Sequence, residues 1–223
     1  MLLHQNGFLQ FCFVTNMRGH TFDEYHPLVL SVLNSGATCI QLREKGVPDE
    51  HLLSIADRLL KMTAPYSIPL IVNDRVEICK AVGAHGVHLG QDDMPPELAR
   101  TALGNEAIIG LSIENFQQLE IANQLDSITY VSASGVFPTK SKHDCKLTWG
   151  LDNLKKFCQL SRHPVMAIGG ITLNNINHVL EAGAEGVAVI SAIHDAEEPD
   201  MMTKAFRHEI DNFFDSTTLC HKN

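Results

Sequence analysis

The 223-residue chain lacks an excess of basic residues. It contains 17 lysines and arginines against 26 aspartates and glutamates, which gives a net charge of −9 at pH 7. Nucleic-acid binding depends on clustered positive charge, and the sequence has no basic run. We therefore expect no nucleic-acid partner.

Long apolar runs are also missing. No stretch reaches the ~18 consecutive apolar residues that a membrane-spanning helix needs. Residues 1–13 carry no positively charged region of the kind that opens a secretory signal peptide. We expect no membrane partner and a cytoplasmic location.

The six cysteines and twelve histidines lack the spacings of common metal and redox sites. No Cys-x-x-Cys and no His-x-x-x-His pattern occurs, so a structural zinc site is not indicated. Cys12 and Cys39 lie in apolar, strand-like runs. This placement is typical of buried, reduced thiols in a cytoplasmic protein.

Linkers and low-complexity tracts are absent, so we expect residues 1–223 to form one domain. What the chain does have is an alternation of eight strand-like and eight helical patterns. The strand-like runs are mostly continuously apolar, as parallel strands covered on both faces are. The economical fold is an α/β TIM (β/α)8 barrel, for which ~200 to ~250 residues suffice. A doubly wound open sheet is the alternative.

The boundaries of these elements follow from apolar runs, helical periodicity and the positions of glycine and proline. The predicted strands span residues 11–15, 38–42, 70–72, 86–89, 107–111, 128–132, 164–168 and 186–190. The predicted helices span residues 25–33, 48–60, 76–82, 95–104, 116–125, 151–160, 174–182 and 201–214.

Residues 70–93 combine two strands, a helix and acidic ends. Asn73 and Asp74 follow the first strand, and Asp93 follows the second. Parallel strands joined by a right-handed crossover end on the same side of the sheet, so we expect the two aspartates to be neighbours. Two carboxylates in one cleft repel each other unless a cation or a proton lies between them. Hard oxygen ligands with room for phosphates suit Mg²⁺.

In a barrel, chemistry takes place at the carboxyl ends of the strands. The sequence places cations, carboxylates, amides, hydroxyls and glycines there. They are Gln41, Arg43, Lys45, Asn73, Asp74, Asp93, Ser112, Thr139, Ser141, Lys142, Gly169, Gly170, Ile190 and Ser191.

These residues predict two anion sites. The ends of strands seven and eight form the usual phosphate site of a barrel, and the helix beginning near Asn174 points its positive end there. A more heavily charged group would be bound by Arg43, Lys45, Lys142 and Mg²⁺. Two sites indicate two phosphorylated substrates, or one substrate phosphorylated at both ends.

Each of these residues also has a simpler interpretation. Asp93 and Ser112 could cap the helices that follow them. Gly169 and Gly170 could serve only as turn residues, and the lysines and the arginine could be solvated loop charges. His88, within strand four, is more often a core histidine than a catalyst.

Six motifs occur in order along residues 10–195. They are Gln41-Leu-Arg-Glu-Lys45, Asn73-Asp74-Arg75, His88-Leu-Gly-Gln-Asp-Asp93, Phe137-Pro-Thr-Lys-Ser-Lys142, Ile168-Gly-Gly-Ile-Thr172 and Val189-Ile-Ser-Ala192. In these motifs the chain resembles the thiamine phosphate synthase family.

The resemblance implies a TIM-barrel transferase that joins 4-amino-5-hydroxymethyl-2-methylpyrimidine diphosphate to 4-methyl-5-(2-hydroxyethyl)thiazole phosphate and releases pyrophosphate. It implies a dissociative, Mg²⁺-assisted mechanism in which pyrophosphate leaves before the thiazole nitrogen attacks. Carried over by motif, the pyrimidine diphosphate ligands are Gln41, Arg43, Lys45, Asn73, Ser112 and Lys142, of which Arg43, Lys45, Ser112 and Lys142 act in catalysis. Asp74 and Asp93 would hold Mg²⁺. The thiazole phosphate ligands would be Thr139, Ser141, Gly170, Ile190 and Ser191.

Three positions depart from the family pattern. Glu114 stands where a histidine is usual, residues 132–135 replace a Gly-x-Gly-Pro sequence, and Ser141 replaces a threonine. Two alternatives therefore stay open: a thiazole tautomerase of the same barrel family, and a non-catalytic relative that binds thiazole phosphate. A homo-oligomer is also left open by the sequence.

Overall fold

The computed structural model describes residues 7–139 and 148–220, with side chains up to residue 216. Its eight parallel strands form a closed barrel in sequence order, β1 pairing with β2 on one side and with β8 on the other. The strands are β1 (Phe11–Val14), β2 (Cys39–Leu42), β3 (Leu70–Asn73), β4 (Gly86–Leu89), β5 (Ile108–Ile113), β6 (Tyr130–Ser134), β7 (Val165–Ile168) and β8 (Gly186–Val189). The predicted TIM barrel is confirmed, and the open-sheet alternative is wrong.

Nine α-helices lie in the described part of the chain. They are α1 (Phe22–Asn34), α2 (Asp49–Thr63), α3 (Val76–Val82), α4 (Pro96–Leu103), α5 (Phe116–Ala122), α6 (Gly150–Leu160), α7 (Ile176–Glu181), α8 (Ser191–His194) and α9 (Pro199–Cys220). Two 3-10 turns, Gly7–Leu9 and Ala64–Tyr66, accompany them. Among these helices, none is both long and apolar enough to cross a membrane.

Three features near the cavity differ from the prediction. β5 continues to Ile113, so Ser112 lies inside a strand rather than after it. β6 begins and ends two residues later than predicted, because residues up to Ser134 still pair with β7. The short helix α8 was not predicted at all, since four residues are too few to show a helical period.

Local signals explain several helix ends. α1 begins with a capping box, in which the Thr21 side chain accepts from the Glu24 amide and the Glu24 carboxylate accepts from the Thr21 amide. α3 ends at Gly83, whose φ of 70° is left-handed, as predicted for a glycine at this position. The start of α1 and the end of α3 thus lie where local chemistry favours them.

The apolar core has two parts, one between the strands and the helices and one inside the barrel. Along β6, Val131 and Ala133 belong to the outer part and Tyr130 belongs to the inner part, as the two-residue period of a strand requires. Cys12 on β1 and Cys39 on β2 lie side by side in the strand register, and both belong to the inner part. The four cysteines whose side chains the structure describes are free thiols, as predicted.

Candidate active site

A cavity of about 320 Å³ opens at the carboxyl ends of the strands. It is lined by most of the candidate site residues that the sequence placed there. They are Gln41, Arg43, Lys45, Asn73, Asp74, Asp93, Ser112, Thr139, Gly169, Gly170, Ile190 and Ser191. Ser141 and Lys142 lie outside the described residues. A volume of this size lies at the lower end of the range of small-molecule sites.

The backbone at the end of β3 turns sharply to place Asp74. Its φ of 63° is left-handed, a conformation that is uncommon for residues other than glycine and is tolerated best by asparagine and aspartate. The Asp74 amide donates to the carbonyl of His88 on β4 at 2.8 Å. The Arg75 amide donates to the Asn73 carbonyl at 2.7 Å. These bonds hold a strained residue at the cavity, where such strain often accompanies function.

Asp74 and Asp93 both line the cavity, and their carboxyl groups are close enough to interact. Burial, together with the neighbouring Asp93, raises the pKa of Asp74 from 3.8 to about 6, although Lys45 and Arg43 oppose the shift. The two aspartates are therefore neighbours, as expected from the crossover. Two crowded carboxylates beside two cations form an oxygen donor set that fits Mg²⁺ with a bound diphosphate.

Asp93 does not cap α4. The residue at that N-cap is Pro95, which makes no side-chain hydrogen bond. Instead, Asp93 Oδ2 accepts from the Gly90 amide at 2.7 Å. This bond folds the loop after β4 back toward the cavity, so that Asp93 also shapes the loop that carries it.

Amide and cationic groups line the same side of the cavity. Gln41 Nε2 donates to Asn73 Oδ1 at 3.0 Å, which fixes both amides relative to each other. The Arg43 amide donates to Thr15 Oγ1 at 2.9 Å and anchors the start of the loop after β2. Lys45 is exposed on that loop. The result is a positively charged rim beside the aspartate pair.

Two glycines and the start of α8 form the opposite side. Gly169 and Gly170 have φ values of 104° and 64°, which L-residues with side chains rarely adopt. A Cβ on Gly170 would lie 2.7 Å from the Phe137 Cβ and 2.8 Å from the Pro138 carbonyl oxygen. These glycines are turn residues, as the simpler interpretation held, and they also line the cavity beside Ser191.

Ser112 does not cap α5, because the N-cap is Asn115, whose side chain accepts from the Gln118 amide at 2.9 Å. Ser112 Oγ instead contacts His88 Nε2 at 2.9 Å. The other ring nitrogen, Nδ1, contacts the hydroxyl of Tyr130 at 2.8 Å. His88 is thus a buried, hydrogen-bonded histidine, but it also lines the cavity.

The sequence did not single out several other cavity residues as binding residues. Gln91 donates from Nε2 to the Ser112 carbonyl at 2.6 Å. Ser132 and Ser134 are buried on β6 and line the cavity. Glu114, on the loop after β5, also lines the cavity. The alternation that turns Ser132 and Ser134 inward could have been used to find them, had the strand been placed two residues later.

Thiamine-phosphate synthases are among the known proteins to which this sequence is similar. The sequence model of the family described as thiamine monophosphate synthase matches residues 11–193. A thiamine-phosphate synthase of Chlamydia caviae is 39% identical over 207 residues, which cover 93% of this chain and 97% of that protein. A thiamine-phosphate synthase of Roseiflexus sp. is 42% identical over 188 residues, covering 84% of this chain and 79% of that protein.

A solved structure agrees with these sequence matches. The thiamine phosphate pyrophosphorylase from Pyrococcus furiosus has a TM-score of 0.82 to this chain at 34% identity, covering 92% of this chain and 97% of that one. The residues matched by the family model include all eight strands and every cavity residue described above. This chain belongs to the thiamine monophosphate synthase family and is an enzyme of the transferase class.

Proposed function

We propose that this enzyme condenses 4-amino-5-hydroxymethyl-2-methylpyrimidine diphosphate with 4-methyl-5-(2-hydroxyethyl)thiazole phosphate to form thiamine phosphate and pyrophosphate. The observation that carries the proposal is the two-sided cavity. One side combines two carboxylates with two cations, and the other combines left-handed glycines with the start of a helix. Two differently built anion sites within about 320 Å³ suit two phosphorylated substrates held side by side.

The charged side is proposed to bind the diphosphate. Arg43 and Lys45 would contact its oxygens, Gln41 and Asn73 would bind the pyrimidine ring and the nearer phosphate, and Ser112 would donate to a phosphate oxygen. From the resemblance we also place Lys142 here. Asp74 and Asp93 would hold Mg²⁺, which, when bound, neutralises charge on the leaving diphosphate.

The glycine side is proposed to bind the thiazole phosphate through Gly170, Ile190, Ser191 and Thr139, with Ser141 assigned from the resemblance. Backbone amides at such a turn approach an anion closely because no side chain intervenes. The two sides face each other across one cavity, so each substrate can be held with its reacting atom toward the other. Positioning of this kind is a major source of rate acceleration.

The proposed reaction is dissociative. Bond cleavage to pyrophosphate produces a pyrimidine-stabilised carbocation, and the neutral thiazole nitrogen then donates its electron pair to that carbon. The side chains at hand suit this order, because the cations of Arg43 and Lys45 stabilise the departing negative charge. A neutral ring nitrogen has no proton to lose, so no general base is required.

Activity with both substrates tests the proposal directly. The protein is incubated with Mg²⁺ and both substrates, and thiamine phosphate and pyrophosphate are quantified with and without EDTA. We expect equimolar products that disappear when EDTA is added or when either substrate is omitted. Isomerisation of the thiazole phosphate alone would support the tautomerase, and binding without turnover would support the non-catalytic relative.

Three broader proposals accompany this function. We propose a cytoplasmic location, which the free thiols of Cys12, Cys39, Cys79 and Cys158 support. We propose that residues 1–223 form one domain. A homo-oligomer is the third proposal, and light scattering coupled to size-exclusion chromatography tests it.

A further inference from the structure

Three neighbouring strands place a histidine and a tyrosine over a glycine. The register pairs His88 on β4 with Gly110 on β5, and Gly110 with Tyr130 on β6. Gly110, the middle residue, has no side chain, so the rings of His88 and Tyr130 meet above it. His88 Nδ1 lies 2.8 Å from the Tyr130 hydroxyl. A Cβ on Gly110 would lie 2.2 Å from Tyr130 Cζ and 2.5 Å from His88 Nδ1. The contact therefore depends on glycine at this position.

The Tyr130 hydroxyl must be a hydrogen-bond donor. The side chain is fully buried, and burial raises its pKa well above the ordinary value, so the phenol keeps its proton. A buried hydroxyl needs an acceptor for that proton. Within the described residues, the acceptor in reach is His88 Nδ1.

This assignment fixes the tautomer of His88. If Nδ1 accepts from the phenol, it carries no hydrogen, and the neutral ring carries its hydrogen on Nε2. The Nε2–H group then donates to Ser112 Oγ, 2.9 Å away. Both ring contacts are satisfied when Nδ1 accepts from the phenol and the Nε2–H group donates to Ser112.

The direction of this chain of hydrogen bonds determines what Ser112 offers to a ligand. Its oxygen already accepts from His88, so its own O–H is left to point elsewhere, and the cavity adjoins this residue. Its carbonyl is engaged by Gln91 Nε2 at 2.6 Å. With the opposite tautomer, Ser112 would donate to the ring and present only lone pairs, which repel a phosphate oxygen.

We propose that Tyr130 is a positioning residue whose hydroxyl holds His88 in the Nε2–H form, so that Ser112 donates its hydroxyl proton to the diphosphate substrate. The order of hydrogen-bond donation is Tyr130 to His88, His88 to Ser112 and Ser112 to a phosphate oxygen. Gly110 is part of the same arrangement because it leaves space for the two rings. The phosphate oxygen as final acceptor rests on the proposed function, whereas the tautomer of His88 does not.

The tautomer is tested first, without any substrate. Nitrogen NMR of the ¹⁵N-histidine-labelled protein distinguishes the protonated from the bare ring nitrogen, and a His88→Gln variant assigns the signal. We expect His88 to be protonated at Nε2 only in the wild type and to become a mixture of tautomers in Tyr130→Phe. A wild-type ring protonated at Nδ1 would overturn the proposal.

A double-mutant cycle tests the functional consequence. A hydrogen bond to a charged group is worth roughly 10-fold to 100-fold in affinity, so Ser112→Ala should lower kcat/KM for the pyrimidine diphosphate by about that factor. Tyr130→Phe should lower it by about 10-fold alone but by less than about 2-fold in the Ser112→Ala background, since the two act through one chain of hydrogen bonds. A merely structural tyrosine would give additive effects, which would contradict the inference.

Tyr25→Phe is the matched control. The Tyr25 hydroxyl also contacts a histidine, His194 Nε2, at 2.9 Å, but neither residue lines the cavity, and the His194 ring stacks on Phe13 of β1. We expect its effect to add to that of Ser112→Ala. If the wild type forms no thiamine phosphate, the proposed function fails while the NMR result still decides the tautomer.

Discussion

Replacing Asp74 by asparagine should stabilise the metal-free protein at neutral pH. The folded state raises the pKa of Asp74 from 3.8 to about 6, chiefly through burial and then through Asp93. A shift of this size corresponds to about 3 kcal/mol at 1.36 kcal/mol per pKa unit. Because the side chain is only half-buried, solvent screening reduces this to about 1 kcal/mol.

The sign follows from proton linkage. The folded chain binds the Asp74 proton more tightly than the unfolded chain, so this carboxyl contributes stability below about pH 4 that is lost as the pH rises through about 6. Above pH 6 the ionised Asp74 is a net cost. An asparagine at this position would carry no charge for Asp93 to repel, and the cost would disappear.

The assay is urea unfolding in EDTA at pH 4.5 to 8. We expect Asp74→Asn to gain about 1 kcal/mol over the wild type at pH 7.5 and only about a third of that at pH 4.5. Asp92→Asn, which changes an exposed carboxylate on the same rim, should not show this difference. An Asp74→Asn protein that is less stable at pH 7.5, or that gains equally at both pH values, would refute the reasoning.

The same two proteins test the metal site. A ligand that binds only the folded state stabilises it according to its concentration and affinity. Adding millimolar Mg²⁺ should therefore raise the melting temperature of the wild type, while Asp74→Asn should respond much less. An equal response of both proteins would remove Asp74 from the proposed metal site.

Three further predictions concern both sides of the cavity. Asp93→Asn should keep an acceptor for the Gly90 amide and should not lower the melting temperature, while kcat falls by about 100-fold or more. Near-normal turnover would show that Asp93 serves only in its loop contact. Arg43→Lys should raise KM for the pyrimidine diphosphate by about 10-fold, because a lysine cannot make the bidentate contact of a guanidinium group. KM for the thiazole phosphate is the internal control and should stay unchanged. Gly170→Ala should destabilise the fold by about 2 kcal/mol more than Gly83→Ala in urea unfolding. Both glycines have a left-handed backbone, but only a Cβ on Gly170 would collide with neighbouring atoms. Equal losses of stability in the two variants would contradict this packing argument.

The fold could be predicted well from the sequence because each element is consistent with its neighbours. Continuous apolar runs identify buried parallel strands, and the glycine or proline at the helix ends separates them. The errors in the strand bounds occur where the last residues of a strand are polar and line the cavity. Ser132 was predicted to be the last residue of its strand, yet β6 continues to Ser134, and both serines line a polar cavity rather than an apolar core.

The candidate site was predicted by position more than by contact. Strand ends locate Asp74 and Asp93 on one rim without any coordinates, since the topology alone brings them together. The contacts of Ser112 could not be predicted, because they depend on the register of three strands. His88 illustrates this limit: its hydrogen-bond partners lie 24 and 42 residues away in sequence.

The polar groups of the cavity are held largely by neighbouring strands rather than by their own. Gln41 on β2 binds Asn73 on β3, and the Asp74 amide that follows β3 binds the carbonyl of His88 on β4. The ring of that same histidine reaches Ser112 on β5. His88 therefore connects the aspartate side of the cavity to the serine side, through its backbone on one side and its ring on the other. A slip of β4 by one residue relative to both of its neighbours would break both connections, because it shifts the His88 carbonyl and turns the His88 ring toward the helices. The registration of the closed barrel thus determines the geometry of the site as much as the identity of its residues does.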